Sequence, residues 1–143
     1  MKYLLLLVLP LYIFALPPSV FIARTLALQD ESYRKVFYPN TKSIYFGSTI
    51  TEEESQLLEY RLNYIHESLS KYKWYTDLNP LRKAVLQNIA FNFGISSLFE
   101  FNTTIYYLKK HSYKLAAKSM KDTHWYRTEF QAKHLVKLMR DGK

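Results

Sequence analysis

The stretch NPLRKAVLQNIAFNFG, Asn79 to Gly94, constrains the fold more than any other part of the chain. Asn before Pro reads as a helix start. The Asn side chain accepts from a free N–H of the first turn, and Pro suits a position where no intrahelical N–H bond is lost. Gly94 reads as the stop. Between them the apolar residues surround most of the circumference instead of forming one stripe, which predicts a buried central helix. A chain that buries one helix on all sides must wrap others around it, and 143 residues suffice for one domain with such a core.

A second helix has the opposite character. Thr51-Glu52-Glu53-Glu54 is a capping box, in which Thr51 accepts from the backbone N–H three residues on and Glu54 reaches back. The acids suit the positive end of the helix. Leu58, Leu62, Ile65 and Leu69 follow at four-three-four spacing, a single apolar stripe. This helix is expected to run from 51 to about 71–72. Ser19, after Pro17-Pro18, reads as an N-cap, and VFIARTLALQDE as a short helix ending near Glu31. Residues 35–50 mix Val, Phe, Tyr and Ile with turn residues and predict a small, irregular β element. The remainder predicts short helices near 97–101, 102–110, 112–121, 124–128 and 130–140. No internal repeat or low-complexity segment is present.

Apolar residues make up 48% of the chain and aromatics 17%, which argues against disorder. There is no cysteine, so disulfides, thiolate metal sites and thiol nucleophiles are excluded. The four histidines, 66, 111, 124 and 134, have no HExxH spacing and read as surface or half-buried residues. No metal and no cofactor is expected. Net charge is +8, and from Ile105 to Lys143 ten Lys and Arg stand against three Asp and Glu, a net +7. Such a surface seeks an anionic partner. It is equally what a well-hydrated helical surface looks like.

Met1-Lys2 is followed by 21 residues without a charge, Tyr3 to Ala23. About 20 apolar residues suffice for a membrane anchor. The same arrangement, a charged start, an apolar core and a small-residue cut site, describes a secretory signal. Before the double proline the core is only Tyr3 to Leu16, short for a span and suited to a signal. Ile13-Phe14-Ala15 offers one cut site and Thr25-Leu26-Ala27 a later one. The expectation is export across, or anchoring in, a bacterial inner membrane, with residues 1–16 as signal peptide or anchor and 17–143 as the domain. Outside that membrane a basic face meets peptidoglycan and other anionic envelope polymers, not nucleic acid. Residues 3–23 supply any membrane contact, and the domain is expected to be a monomer.

The residues from about Val20 to Gly142 resemble the phage-type lysozymes, glycoside hydrolase family 24. The resemblance is carried by Phe91-Asn92-Phe93-Gly94 at the end of the buried helix and the turn Phe101-Asn102-Thr103-Thr104-Ile105. The pairs Ala116-Ala117 and Trp125-Tyr126 follow in the family's order. It implies an α+β, mainly α fold, lysozyme-like: a reduced N-terminal β lobe, a long linking helix and a helical C-terminal lobe. It also implies a muramidase (endolysin) acting on the bacterial cell wall. The family's catalytic pattern is a Glu, a second carboxylate nine positions on, and a Thr six positions further. One carboxylic acid protonates the leaving oxygen and the opposing carboxylate activates water. Glu31 matches the acid. Asn40 stands in place of the Asp, and an amide cannot carry the stabilising negative charge or take water's proton. The Thr position falls on Phe46, or on Tyr45 with one deletion; Thr41 and Ser43 are nearby hydroxyls. The family's Gly-x-Gly-His-like run is absent, and an Arg often found near the catalytic Glu is replaced by Gln131. By resemblance, Phe91, Asn92 and Thr104 line the substrate cleft. A core Phe, an Asn bonded near its helix end and a capping Thr would look the same.

Three functions therefore stand at this point. One is an exported peptidoglycan hydrolase weakened by the missing carboxylate, or using Asp30 or Glu52 instead. The second is a catalytically inactive lysozyme-fold protein that binds peptidoglycan or an envelope partner. The third is a membrane-anchored interaction protein.

Overall fold

A computed structural model describes residues 16–29, 51–129 and 131–143. Among these the secondary structure is entirely helical: α1 (Pro18–Gln29), α2 (Glu52–Leu69), α3 (Lys73–Thr76), α4 (Pro80–Phe93), α5 (Ile95–Phe99), α6 (Asn102–Lys109), α7 (Tyr113–Met120), α8 (His124–Thr128) and α9 (Ala132–Asp141). The mainly helical expectation is thus met. The expected β element at 35–50 lies outside the described residues.

Helix α4 is the centre. Every residue from Ala84 to Phe91 is buried, including the polar pair Gln87 and Asn88. Asn79 caps its start, with Oδ1 accepting from the Arg82 N–H at 2.9 Å. Gly94, at φ 92°, ends it and at once begins α5. That double use of one glycine explains why α5 starts at Ile95, two residues before the expected 97.

Helix α2 shows the capping box. Glu54 N–H donates to Thr51 Oγ1 at 3.2 Å and Thr51 N–H to Glu54 Oε2 at 2.7 Å. Leu58, Leu62, Ile65 and Leu69 are all buried. The helix stops at Leu69 rather than 71–72. The Ser70 hydroxyl and N–H both donate to the His66 carbonyl, at 2.7 and 2.9 Å, and Tyr72 is already extended. The short α3 that follows buries Trp74 and Tyr75 and has no counterpart in the sequence reading.

Ser19 is a correction. The helix begins one residue earlier, at Pro18, where proline's fixed φ is preorganised for a first turn. Ser19 is inside the helix, 2% exposed, and its hydroxyl bonds other elements. Val20 and Ala23 are fully buried, so the last part of the uncharged run belongs to the core.

Cross-links orient the helices. Ser19 meets His66 while Arg24 meets Ser55 and Glu59, so α1 runs antiparallel to α2. His66 meets Gln87 and Arg61 meets Phe91, so α2 runs antiparallel to α4. Asn79 bonds the Gly142 carbonyl and Arg82 the Met139 carbonyl, so α9 is antiparallel to α4 as well. The helices after α4 close through α7, whose Ala116, Ala117 and Met120 are buried, and through Trp125, edge-on to Phe101 at 5.9 Å.

Candidate functional site

These directions bring four helix ends to one side of the body. The C-terminal ends of α1 and α4 meet the N-terminal ends of α2 and α9. The clearest marker is Gln131, whose Nε2 donates to the Leu26 carbonyl at 3.3 Å. Leu26 opens the last turn of α1, where carbonyls lack intrahelical partners. Gln131 therefore acts as a C-cap supplied from another helix. Residues 30–50 join Gln29 to Thr51, the flanking ends of α1 and α2 on this side.

The same end is rich in polar groups that are buried and incompletely bonded. Asn88 is 1% exposed; its Oδ1 accepts from Asn92 Nδ2 at 3.3 Å, and its own Nδ2 has no partner. Gln131 is 8% exposed and its Oε1 has no partner. Arg24 donates to Ser55 Oγ at 2.8 Å, and its Nε lies 3.0 Å from Glu59 Oε1. That second contact pairs by charge, but the N–H is not aligned for a hydrogen bond. Phe91 is buried, with the Arg61 guanidinium 4.7 Å above its ring. Buried polar atoms are nearly always bonded, so a cluster of exceptions marks a place where water or a ligand completes the set.

Of the residues named from sequence, Phe91 and Asn92 lie together at this end of α4. Thr104 lies between α6 and α7. It is 2% exposed and its hydroxyl bonds Ser119 at 2.8 Å, while Ser119 donates to the Ala116 carbonyl, a joint between α6 and α7. Glu31 and Asn40 lie outside the described residues, as do Asp30, Thr41, Ser43, Tyr45 and Phe46. Glu52 is exposed at the start of α2 and accepts from Gln56 at 3.0 Å. Among the described residues no group of three His, Asp or Glu could hold a metal ion. No helix among them is long and apolar enough to cross a membrane.

A second polar cluster joins α1, α2, α3 and α4. Gln87 Nε2 donates to Tyr75 Oη at 2.7 Å and to Ser19 Oγ at 2.9 Å, and Tyr75 Oη lies 2.9 Å from His66 Nδ1. Burial lowers the His66 pKa, Lys83 adds to that, and Glu67 opposes it weakly. Burial pushes the Tyr75 pKa well up, against the hydrogen bonds from Gln87 and Ser19. A protonated Tyr75 then donates to a neutral His66, and one donor chain runs Gln87 to Tyr75 to His66. Only the half-buried state of His66 matches its sequence reading. Its partners were not legible, although Gln87-Asn88, two amides inside an otherwise apolar helix, was the signal that could have flagged them.

No protein-family model matches the chain, and no curated protein matches it.

Proposed function

We propose that this protein acts on peptidoglycan through a lysozyme-like site built on the shared end of α1, α2, α4 and α9. The carrying observation is the convergence there of Phe91, Asn92 and the under-bonded amides of Asn88 and Gln131, where residues 30–50 join the helical body. Glu31, five residues beyond Leu26, is the general acid of this reading. A part-buried carboxylic acid, which the resemblance implies at this position, has a raised pKa and can protonate a leaving oxygen at neutral pH. The amide of Asn40 has the chemistry to hydrogen-bond a water and none to take its proton. Losing a positioned charge or donor in such a cleft costs on the order of 10²–10³ in rate. The resident activity is therefore weak, and Asn40 equally favours a second reading, glycan binding without cleavage.

The basic surface supports a wall polymer as partner. All ten Lys and Arg between 105 and 143 are exposed. Lys114 and Lys118 of α7 and Lys121 at its C-cap share one face, and Lys133, Lys137 and Arg140 one face of α9, at helical spacing. Export fits the uncharged N-terminal run, with the cut at Ala15. A cut at Ala27 would remove most of α1 and with it Val20 and Ala23 of the core.

The test is release of soluble fragments from purified cell walls. Wild type is expected to be weak or inactive, Asn40→Asp to gain activity, and Glu31→Gln to abolish that gain. Full strength is not expected, because the family's Thr is also missing. Strong wild-type cleavage that survives Glu31→Gln would sink this assignment of the site.

A further inference from the structure

The far side of α2 carries a second row of side chains that the core does not use. Glu53, Leu57, Tyr60, Tyr64, Glu67 and Lys71 are all exposed, spaced alternately by four and three residues. That alternation keeps a row on one face of a helix and is the spacing of a coiled-coil seam. The middle of the row is apolar: Leu57, Tyr60 and Tyr64 are 49%, 71% and 60% exposed. Phe93, 43% exposed at the last position of α4, borders the two tyrosines across a groove of about 480 Å³ and widens the apolar area. The ends of the row are charged. Glu53 stands in the first turn of α2, and Lys71 in the turn that closes it, where the Tyr72 N–H donates to the Leu69 carbonyl at 3.0 Å.

We infer that this row is the contact face between two antiparallel copies of this chain. The inference stands independently of the proposed function and departs from the sequence expectation of a monomer. A two-fold axis level with Leu62, midway between Glu53 and Lys71, sets Tyr60 against the partner's Tyr64. It sets Leu57 against the methylenes of the partner's Glu67, and Glu53 against the partner's Lys71. Each pairing then occurs twice, as a self-complementary interface requires. The charges choose both the occupant and its direction. A parallel copy would set Glu53 on Glu53 and Lys71 on Lys71. The antiparallel copy makes an ion pair at each end of a seam about 27 Å long and opposes the two helix dipoles. An anionic polymer or lipid surface is a poor match, because Glu53 and Glu67 in the row and Glu52 beside it are exposed. Tyrosines meeting across the axis supply flat apolar area at low entropic cost and favourable ring packing.

The experiment is sedimentation velocity of the full chain over about 1–300 μM, with a cross-linking arm. One helix pair is a small interface, so wild type is expected to form a dimer that dissociates at about 10–100 μM. Tyr60→Ser/Tyr64→Ser should weaken it about tenfold or more, and it changes only exposed side chains, so folding is preserved. Glu53→Lys should weaken it about threefold, and Glu53→Lys/Lys71→Glu should restore it, a rescue that a role within one copy would not give. The chain has no cysteine, so introduced ones report the direction. Glu53→Cys mixed with Lys71→Cys should form a disulfide-linked dimer on mild oxidation, and Glu53→Cys alone should not. A chain that stays monomeric throughout, a dimer that the tyrosine change leaves intact, or a charge swap that fails to rescue overturns the inference. So does linking of Glu53→Cys alone as fast as the mixture, which would mark a parallel pair. If wild type is monomeric and the tyrosine change instead lowers binding to cell walls or anionic vesicles, the row docks those surfaces and the inference is overturned.

Discussion

The two ends of α4 are built on opposite principles. At the N-terminal end nearly every polar group has a partner. Asn79 caps the helix through Oδ1 and donates through Nδ2 to the Gly142 carbonyl at 3.0 Å. Arg82 donates to the carbonyls of Met139 and Arg140 at 2.8 and 3.3 Å, and its guanidinium lies 3.8 Å over the Tyr113 ring. It thereby places a positive charge on the negative end of α9. Gly142 turns left-handed at φ 67° beneath it, and an added Cβ would sit 2.6 Å from the guanidinium. At the C-terminal end Asn88 Nδ2 and Gln131 Oε1 are buried without partners. Satisfied networks rigidify a fold, whereas unsatisfied ones lower its stability until something fills them. One end of the helix is closely bonded, and the other keeps buried polar atoms without partners.

Several changes break or sharpen that contrast. The largest effect is expected from Arg82→Ala, which frees two helix-end carbonyls and an aromatic face. It should lower unfolding free energy by about 2–3 kcal/mol in denaturant titration. A loss under about 0.5 kcal/mol would mean that this end is not held as described. Tyr75→Phe comes next. It removes the acceptor of one Gln87 N–H and the shortest contact of His66 Nδ1, at a cost of about 1–2 kcal/mol, and should leave wall binding unaltered.

The sharpest comparison is between two asparagines of similar chemistry. Asn79→Ala removes a cap and should cost about 1 kcal/mol. Asn88→Leu replaces an under-bonded buried amide with an apolar group of similar size, so stability should hold within about 0.5 kcal/mol or rise, while polymer binding falls. Equal destabilisation by both would erase the distinction between the ends.

The smallest effect is a pH dependence. Because His66 has a pKa below its ordinary 6.5 in the folded protein, the unfolded chain binds more protons as pH drops. Its contribution is complete above about pH 6.5 and is lost as pH falls through the lowered folded value. Protonation at Nδ1 would also set a donor against Tyr75 and Gln87. Wild type should therefore lose slightly more stability than His66→Gln between pH 7.5 and pH 5.5. Parallel curves would remove His66 from the account.

What the sequence determined by itself was local. Thr51 with Glu54, the stripe of α2, and Asn79-Pro80 with Gly94 each carry their physics within one or two helical turns, so both principal helices were legible. So was the burial of α4, since no single-face arrangement of its residues is possible. The exact ends of α2 and α5 escaped, because a serine hydroxyl and a doubly used glycine decide them. Tertiary structure alone decided that Ser19, His66, Tyr75 and Gln87 form one cluster, for residues up to 68 positions apart are brought together by packing and not by any periodicity. Thr104 found its hydrogen-bond partner in the same way: as a sequence residue it reads as cap or cleft, and only the packing of α6 on α7 hands its hydroxyl to Ser119. Backbone propensity acts over a few residues, whereas the partner of a buried polar group is chosen by whichever helix arrives beside it.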